Sequence, residues 1–133
     1  MIDAKDIIDD AIDALQSGKS EARYRAVAAR AYYAAYHFLL KHPCGQIFAT
    51  ATTSKKGGLH REFISWLYKS TEPCVLQVAM KLDALFDSRV IADYKIGAPF
   101  SSKTAQASID DASDIIDVDL KSYNAAADRR TYP

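Results

Sequence analysis

The apolar residues of this chain recur every three to four positions along most of its length, and nowhere alternate in the two-residue rhythm of strands bounded by hairpin turns. That period admits helices burying one face and little else. Ile7, Ile8, Ala11, Ile12 and Leu15 form a first face, with Asp3 placed to cap its start and Gly18 to stop it. A second helix, opened by Ser20, carries Tyr24, Val27, Ala28, Ala31, Ala35, Phe38 and Leu39 and ends before Pro43. Leu59, Phe63, Trp66 and Leu67 predict a short third helix. Thr71 and Pro73 read as cap and early positions of a fourth, striped by Val75, Val78, Ala79, Leu82, Leu85 and Phe86 and reaching Asp93 or Tyr94. Gly97 and Pro99 interrupt the pattern, and Ser101 or Ser102 starts a last helix with Ala105, Ile109, Ala112, Ile115, Ile116 and Leu120. The expected fold class is all-α, an antiparallel bundle of four to five helices.

Two segments lack the period. Residues 43–58, "PCGQIFATATTSKKGG", are expected to form a mobile loop, long beside the two to eight residues usual between bundle helices. Within it Lys55, Lys56, Gly57 and Gly58 form either a phosphate-holding run or a solvated turn. Residues 125–133 are expected to fray.

At 133 residues the chain is the size of one domain. Hydrophobic residues at 49% and charged residues at 26% exclude a disordered chain. Seventeen basic and seventeen acidic residues cancel, so a long-range field gathering nucleic acid is excluded and any anion binding must come from a local patch. Cys44 and Cys74 form neither a CxxC pair nor a framework, which fits a reducing, cytoplasmic setting. The N-terminal run of Asp3, Asp6, Asp9, Asp10 and Asp13 has the wrong charge for a targeting peptide. No uncharged stretch nears the roughly 20 residues of a membrane span, so no membrane association is expected. The chain shows no HExxH, no di-iron ladder, no nucleophile elbow and no Gly-rich nucleotide fingerprint; no metal and no cofactor are expected.

Placing residues at about 100° per step exposes the anomalies. On the second helix Arg30, Tyr33 and His37 form a polar stripe bordering the apolar arc. On the fourth, Arg89 falls between the directions of Leu82, Leu85 and Phe86, with Asp93 only about 40° away. An arginine aimed into a helix interface must be paired, hold a ligand or snorkel. One reading is an internal Arg89–Asp93 strut; the other is an anion or phosphate site, for which the guanidinium fork is well shaped. His42 and His60 sit near loop ends, where a solvated surface histidine is the ordinary explanation.

The segments "RAVAARAYYAAYHFLL" (Arg25 to Leu40), "HREFI" (His60 to Ile64) and "SRVIADY" (Ser88 to Tyr94) together resemble the HEPN domains, in particular short prokaryotic ones with an Arg to Ala-Asp-Tyr signature. The resemblance implies a helical bundle, commonly a homodimer. Many such proteins are metal-independent RNases of toxin–antitoxin pairs or phage defence, and several pair with a nucleotidyltransferase. It assigns the family arginine to Arg89, whose partner would be a histidine that follows after four to six residues. Asp93, Tyr94, Lys95 and Ile96 follow instead, a departure that weakens the nuclease reading. His37 is the candidate to replace that histidine in catalysis, with Arg30, Tyr33, Asp93 and Tyr94 around Arg89 to bind RNA or a nucleotide. The competing reading is a non-catalytic accessory module, partner of a nucleotidyltransferase or a defence complex.

Overall fold

A computed structural model describes residues 2–51 and 58–130. All regular structure among them is helical: α1 (Ala4–Ser17), α2 (Glu21–Lys41), α3 (Pro43–Ala51), α4 (Leu59–Tyr68), α5 (Pro73–Tyr94) and α6 (Ser102–Asp114), the last running into a π-helical turn, Ile115–Asp119. The polar residues at the starts act as their chemistry dictates. Asp3 and Asp6 exchange backbone-to-carboxylate hydrogen bonds of 3.0 Å each, a reciprocal cap, and Ser20 and Ser101 accept from Arg23 and Thr104.

α2 is the axis of the bundle, with α1, α3, α5 and α6 all packed on it. Its alanines make that possible: Ala28, Ala31, Ala34 and Ala35 are fully buried and let neighbours approach on several sides, while Val27, Tyr32 and Leu39 fill the remaining space. The main core continues through Phe63, Trp66 and Leu67 of α4 and Val75, Val78, Leu82 and Leu85 of α5. The polar stripe lies on the open side of α2, where Tyr33 is 56% exposed.

The expected 43–58 loop is corrected in its first half. Pro43 does not merely stop α2; it begins α3 at a position where a missing N–H costs nothing. The His42 ring Nδ1 accepts the Cys44 N–H at 3.1 Å, Cys44 and Phe48 are buried, and Gly45 lets the two helices meet. This makes six α-helices among the described residues, where four to five were expected. Lys55, Lys56 and Gly57 lie outside the described residues. Gly58, at φ +70°, supplies the left-handed turn that opens α4.

The expectation of fraying at 125–133 is also corrected as far as Arg130; residues 131–133 lie outside the described residues. Asp128 accepts from the Ser70 hydroxyl at 2.7 Å, the Tyr123 hydroxyl at 2.7 Å and the Arg130 guanidinium at 2.5 Å. Arg130 stacks 4.4 Å over the Trp66 ring and donates to the carbonyls of Cys44 and Trp66. Thr71, read above as a helix cap, serves this segment instead, its hydroxyl accepting the Arg129 N–H and its own N–H donating to Asp128, while Glu72 occupies the cap position of α5.

Arg25 finishes the other end of α5. Its guanidinium donates to the carbonyls of Ile91 (2.8 Å) and Ala92 (3.1 Å) in the last turn of α5 and of Lys95 (3.2 Å), Ile96 (3.2 Å) and Ala98 just beyond it, so one side chain ties the end of the helix to the turn that leaves it. Arg25→Met should therefore cost about 2 to 4 kcal/mol in urea denaturation, since an unsatisfied, partly buried acceptor costs about 1 to 3 kcal/mol and several are affected. A loss below about 0.5 kcal/mol would mean that water serves those carbonyls equally well.

Candidate anion site on α2, α4 and α5

Arg89 sits in the last turns of α5 with its side chain 26% exposed, at the margin of the core. Its Nε donates to Asp93 Oδ2 at 3.1 Å, the pair expected from the i, i+4 spacing. That single bond uses one edge of the guanidinium. The two terminal nitrogens donate to no group among the described residues, so the fork stays open while Asp93 holds its orientation. The cation also lies 5.9 Å from the centre of the Tyr32 ring and 5.5 Å from that of Tyr94, within the range of cation–π attraction. Tyr94 is 68% exposed and Ile96 beside it 78%, an apolar rim next to the fork.

Tyr32, from the buried arc of α2, is the floor of the site at 1% exposure. Its hydroxyl meets Nδ1 of His60 at 2.6 Å. His60 comes from the first turn of α4, which is fastened to α5 by Arg61. That guanidinium donates to Asp83 and Asp87 at 2.9 Å each and covers the Phe86 ring at 4.6 Å. The clamp is half-exposed, so its contribution is placement rather than stability. It brings the His60 ring to 5.5 Å from Tyr32, 5.8 Å from Phe86 and 4.6 Å from Tyr36.

The electrostatics follow from this packing. Burial, then the Arg89 cation, then His37 all press the His60 pKa below the ordinary histidine value, so the ring is neutral near pH 7. Burial and the neighbouring Tyr36 push the Tyr32 phenol well above its usual range, against the smaller opposing pull of Arg89 and Arg61. His37 is also held below its ordinary value, by burial and then by Lys41.

The residues singled out in the sequence divide into two places. Arg89, Asp93 and Tyr94 are together. Arg30, Tyr33 and His37 lie toward α1: Arg30 reaches Asp10 at 3.7 Å, and His37 stacks edge-on against Tyr33 at 4.2 Å beside a pocket of about 360 Å³ that Ile7 and Lys41 also line. His37 makes no direct contact with Arg89; a run of ring contacts through Tyr36, His60 and Tyr32 connects them. His60 and Tyr32 are the members that sequence reasoning passed over. A helix-start histidine looks solvated, and the available signal was the position of Tyr32 inside the apolar arc, because a buried phenol needs a hydrogen-bond partner. No group of three or more His, Cys, Asp or Glu among the described residues is placed to hold a metal ion. No helix among them is long and apolar enough to cross a membrane.

A family model described as the HEPN domain matches residues 3–123, from the first cap through Tyr123. The chain belongs to the HEPN domain family. No curated protein and no solved structure matches it. The matched span takes in α1 through α6 and therefore every member of the Arg89 site, while the pinned segment ending at Arg130 lies beyond it. An all-α HEPN domain thus accounts for the bundle, and the open fork at Arg89 is the feature of this HEPN protein on which a functional reading rests.

Proposed function

We propose that this HEPN protein binds RNA or a nucleotide through a phosphate seated on Arg89, in a cleft completed by a second copy of the chain, and acts in a toxin–antitoxin or antiviral defence setting. The observation that carries the reading is the Arg89 fork, oriented by Asp93 at 3.1 Å and without a hydrogen-bond partner at either terminal nitrogen among the described residues. A guanidinium in that state is prepared for bidentate contact with a phosphate. Tyr94 offers an exposed ring for a base to stack on, and Tyr94 with Ile96 forms an apolar rim suited to a second copy. Positions 93–96 hold no histidine, so binding rather than cleavage is the activity expected of the protein alone. That same absence favours a second reading, a non-catalytic accessory subunit to a nucleotidyltransferase or a defence complex.

Arg89→Ala tests the assignment. Because the Asp93 pair is partly solvated, the substitution should change stability by no more than about 1 kcal/mol. It should abolish binding of single-stranded RNA measured by fluorescence anisotropy at fixed salt. Wild-type protein should degrade total RNA no faster than the variant. Unchanged RNA affinity in Arg89→Ala would remove the RNA reading and leave the accessory one.

A further inference from the structure

We propose that His60 is the second phosphate-contacting group of the Arg89 site, fixed by Tyr32 as the tautomer with its proton on Nε2, so that it donates a hydrogen bond to the anion rather than accepting a proton from it. The inference deepens the phosphate-binding reading and rests on it.

The tautomer is set by the Tyr32 hydroxyl. It is buried, and the one partner it has among the described residues is His60 Nδ1 at 2.6 Å. Were Nδ1 protonated, it would donate to the phenol oxygen, and the phenol's own proton would be left without an acceptor in a dry place, at a cost of about 1 to 3 kcal/mol. The reverse arrangement satisfies both groups. The phenol keeps its proton, since burial opposes the phenolate, and donates it to Nδ1. A neutral imidazole that accepts at Nδ1 carries its proton at Nε2. Burial, Arg89 from α5 and His37 from α2 all disfavour the imidazolium, which keeps the ring in that neutral form near pH 7.

Nε2 lies across the ring from the tyrosine and has no hydrogen-bond partner among the described residues. Arg89 shares the Tyr32 floor with His60, its own terminal nitrogens open. Two donor groups without a partner among the described residues thus lie within 6 Å of the centre of one aromatic ring, an arrangement that suits phosphate oxygens. The same tautomer disqualifies His60 as a general base, because an Nε2 that already holds a proton cannot take one from a ribose 2′-hydroxyl. The ligand class is a phosphate mono- or diester, from an RNA chain or a free nucleotide.

The test compares wild type with His60→Ala, His60→Gln, Tyr32→Phe and Arg89→Ala, using a labelled oligouridylate by anisotropy and uridine monophosphate by calorimetry. Tight binding of the oligomer alone would identify an RNA chain as the source, and tight binding of both a free nucleotide. His60→Ala should weaken binding about 10-fold or more, the loss of one hydrogen bond to a charged group. His60→Gln, whose amide places an N–H near the Nε2 position, should restore most of that loss. Long-range nitrogen-15 spectra of the wild type should show His60 protonated at Nε2 and bare at Nδ1, and Tyr32→Phe should mix the tautomers. Wild-type affinity in His60→Ala, a His60 protonated at Nδ1, or RNA cleavage by wild type that His60→Gln abolishes would each overturn the inference. The nitrogen-15 readout needs no variant to fold. Loss of binding in Arg89→Ala with none in His60→Ala would sink this inference alone, whereas unchanged binding in Arg89→Ala would sink the reading beneath it.

Discussion

Asp128→Ala is expected to destabilise the protein by about 3 to 5 kcal/mol, although Asp128 lies in a segment whose sequence suggests a loose tail. Arg130 and Asp128 have side chains only 5% and 4% exposed and meet at 2.5 Å, so removing the carboxylate strands a buried guanidinium. The Ser70 and Tyr123 hydroxyls lose their acceptor as well. The double change Asp128→Ala with Arg130→Met should recover part of the loss by removing the stranded charge, and only part, because the carbonyls of Cys44 and Trp66 then lose a donor. Acid should have the same effect by another route. Burial raises the Asp128 pKa, but the hydrogen bonds of Ser70 and Tyr123 and the charge of Arg130 outweigh it, leaving the carboxyl below its ordinary value. The stability it contributes is therefore present above an unfolded pKa of about 3.9 and disappears as pH falls through the lower folded value. Urea denaturation at neutral pH measures the first effect and a series below pH 4 the second; a loss under about 1 kcal/mol in Asp128→Ala would show the clasp to be superficial.

Gly45→Ala should be comparably damaging, by about 3 kcal/mol or more, and for a steric reason. A Cβ at Gly45 would stand 2.0 Å from the carbonyl oxygen of Leu39, 2.9 Å from its carbonyl carbon and 3.1 Å from the Phe63 ring. The first two atoms are backbone of α2, the bundle's axis, and Leu39 is fully buried, so nothing nearby can yield at small cost. α3 would have to lift from α2, taking Cys44 and Phe48 out of the core. Gly97→Ala is the control, since a Cβ there meets nothing within 4 Å and the change should stay within about 0.5 kcal/mol. Equal stabilities for the two variants would show that α3 docks loosely.

Much of this architecture is written in local pattern. The 3.6-residue period places α1, α2, α4, α5 and α6, and the small polar caps Asp3, Ser20 and Ser101 mark the starts of α1, α2 and α6, because both signals act between residues a few positions apart. Arg89 stands out for the same reason: its direction on α5 follows from its neighbours, and so does its bond to Asp93. α3 escapes such a reading because Pro43 and Gly45 are poor helix formers and the segment is too short to be helical alone, so that only burial of Cys44 and Phe48 against α2 and α4 makes it helical. The tail escapes it because Asp128 and Arg130 are ordinary surface residues until Ser70 and Trp66, far along the chain, converge on them beside the nearby Tyr123. His60 is the clearest case. From the sequence it is a polar residue at the edge of a loop, but the Arg61 clamp and the buried Tyr32 hydroxyl carry it to the Arg89 floor. The helices and the arginine were thus determined by the sequence through short-range periodicity, whereas the histidine's partner and tautomer were decided by tertiary packing, since a hydrogen bond between residues 28 positions apart leaves no periodic trace.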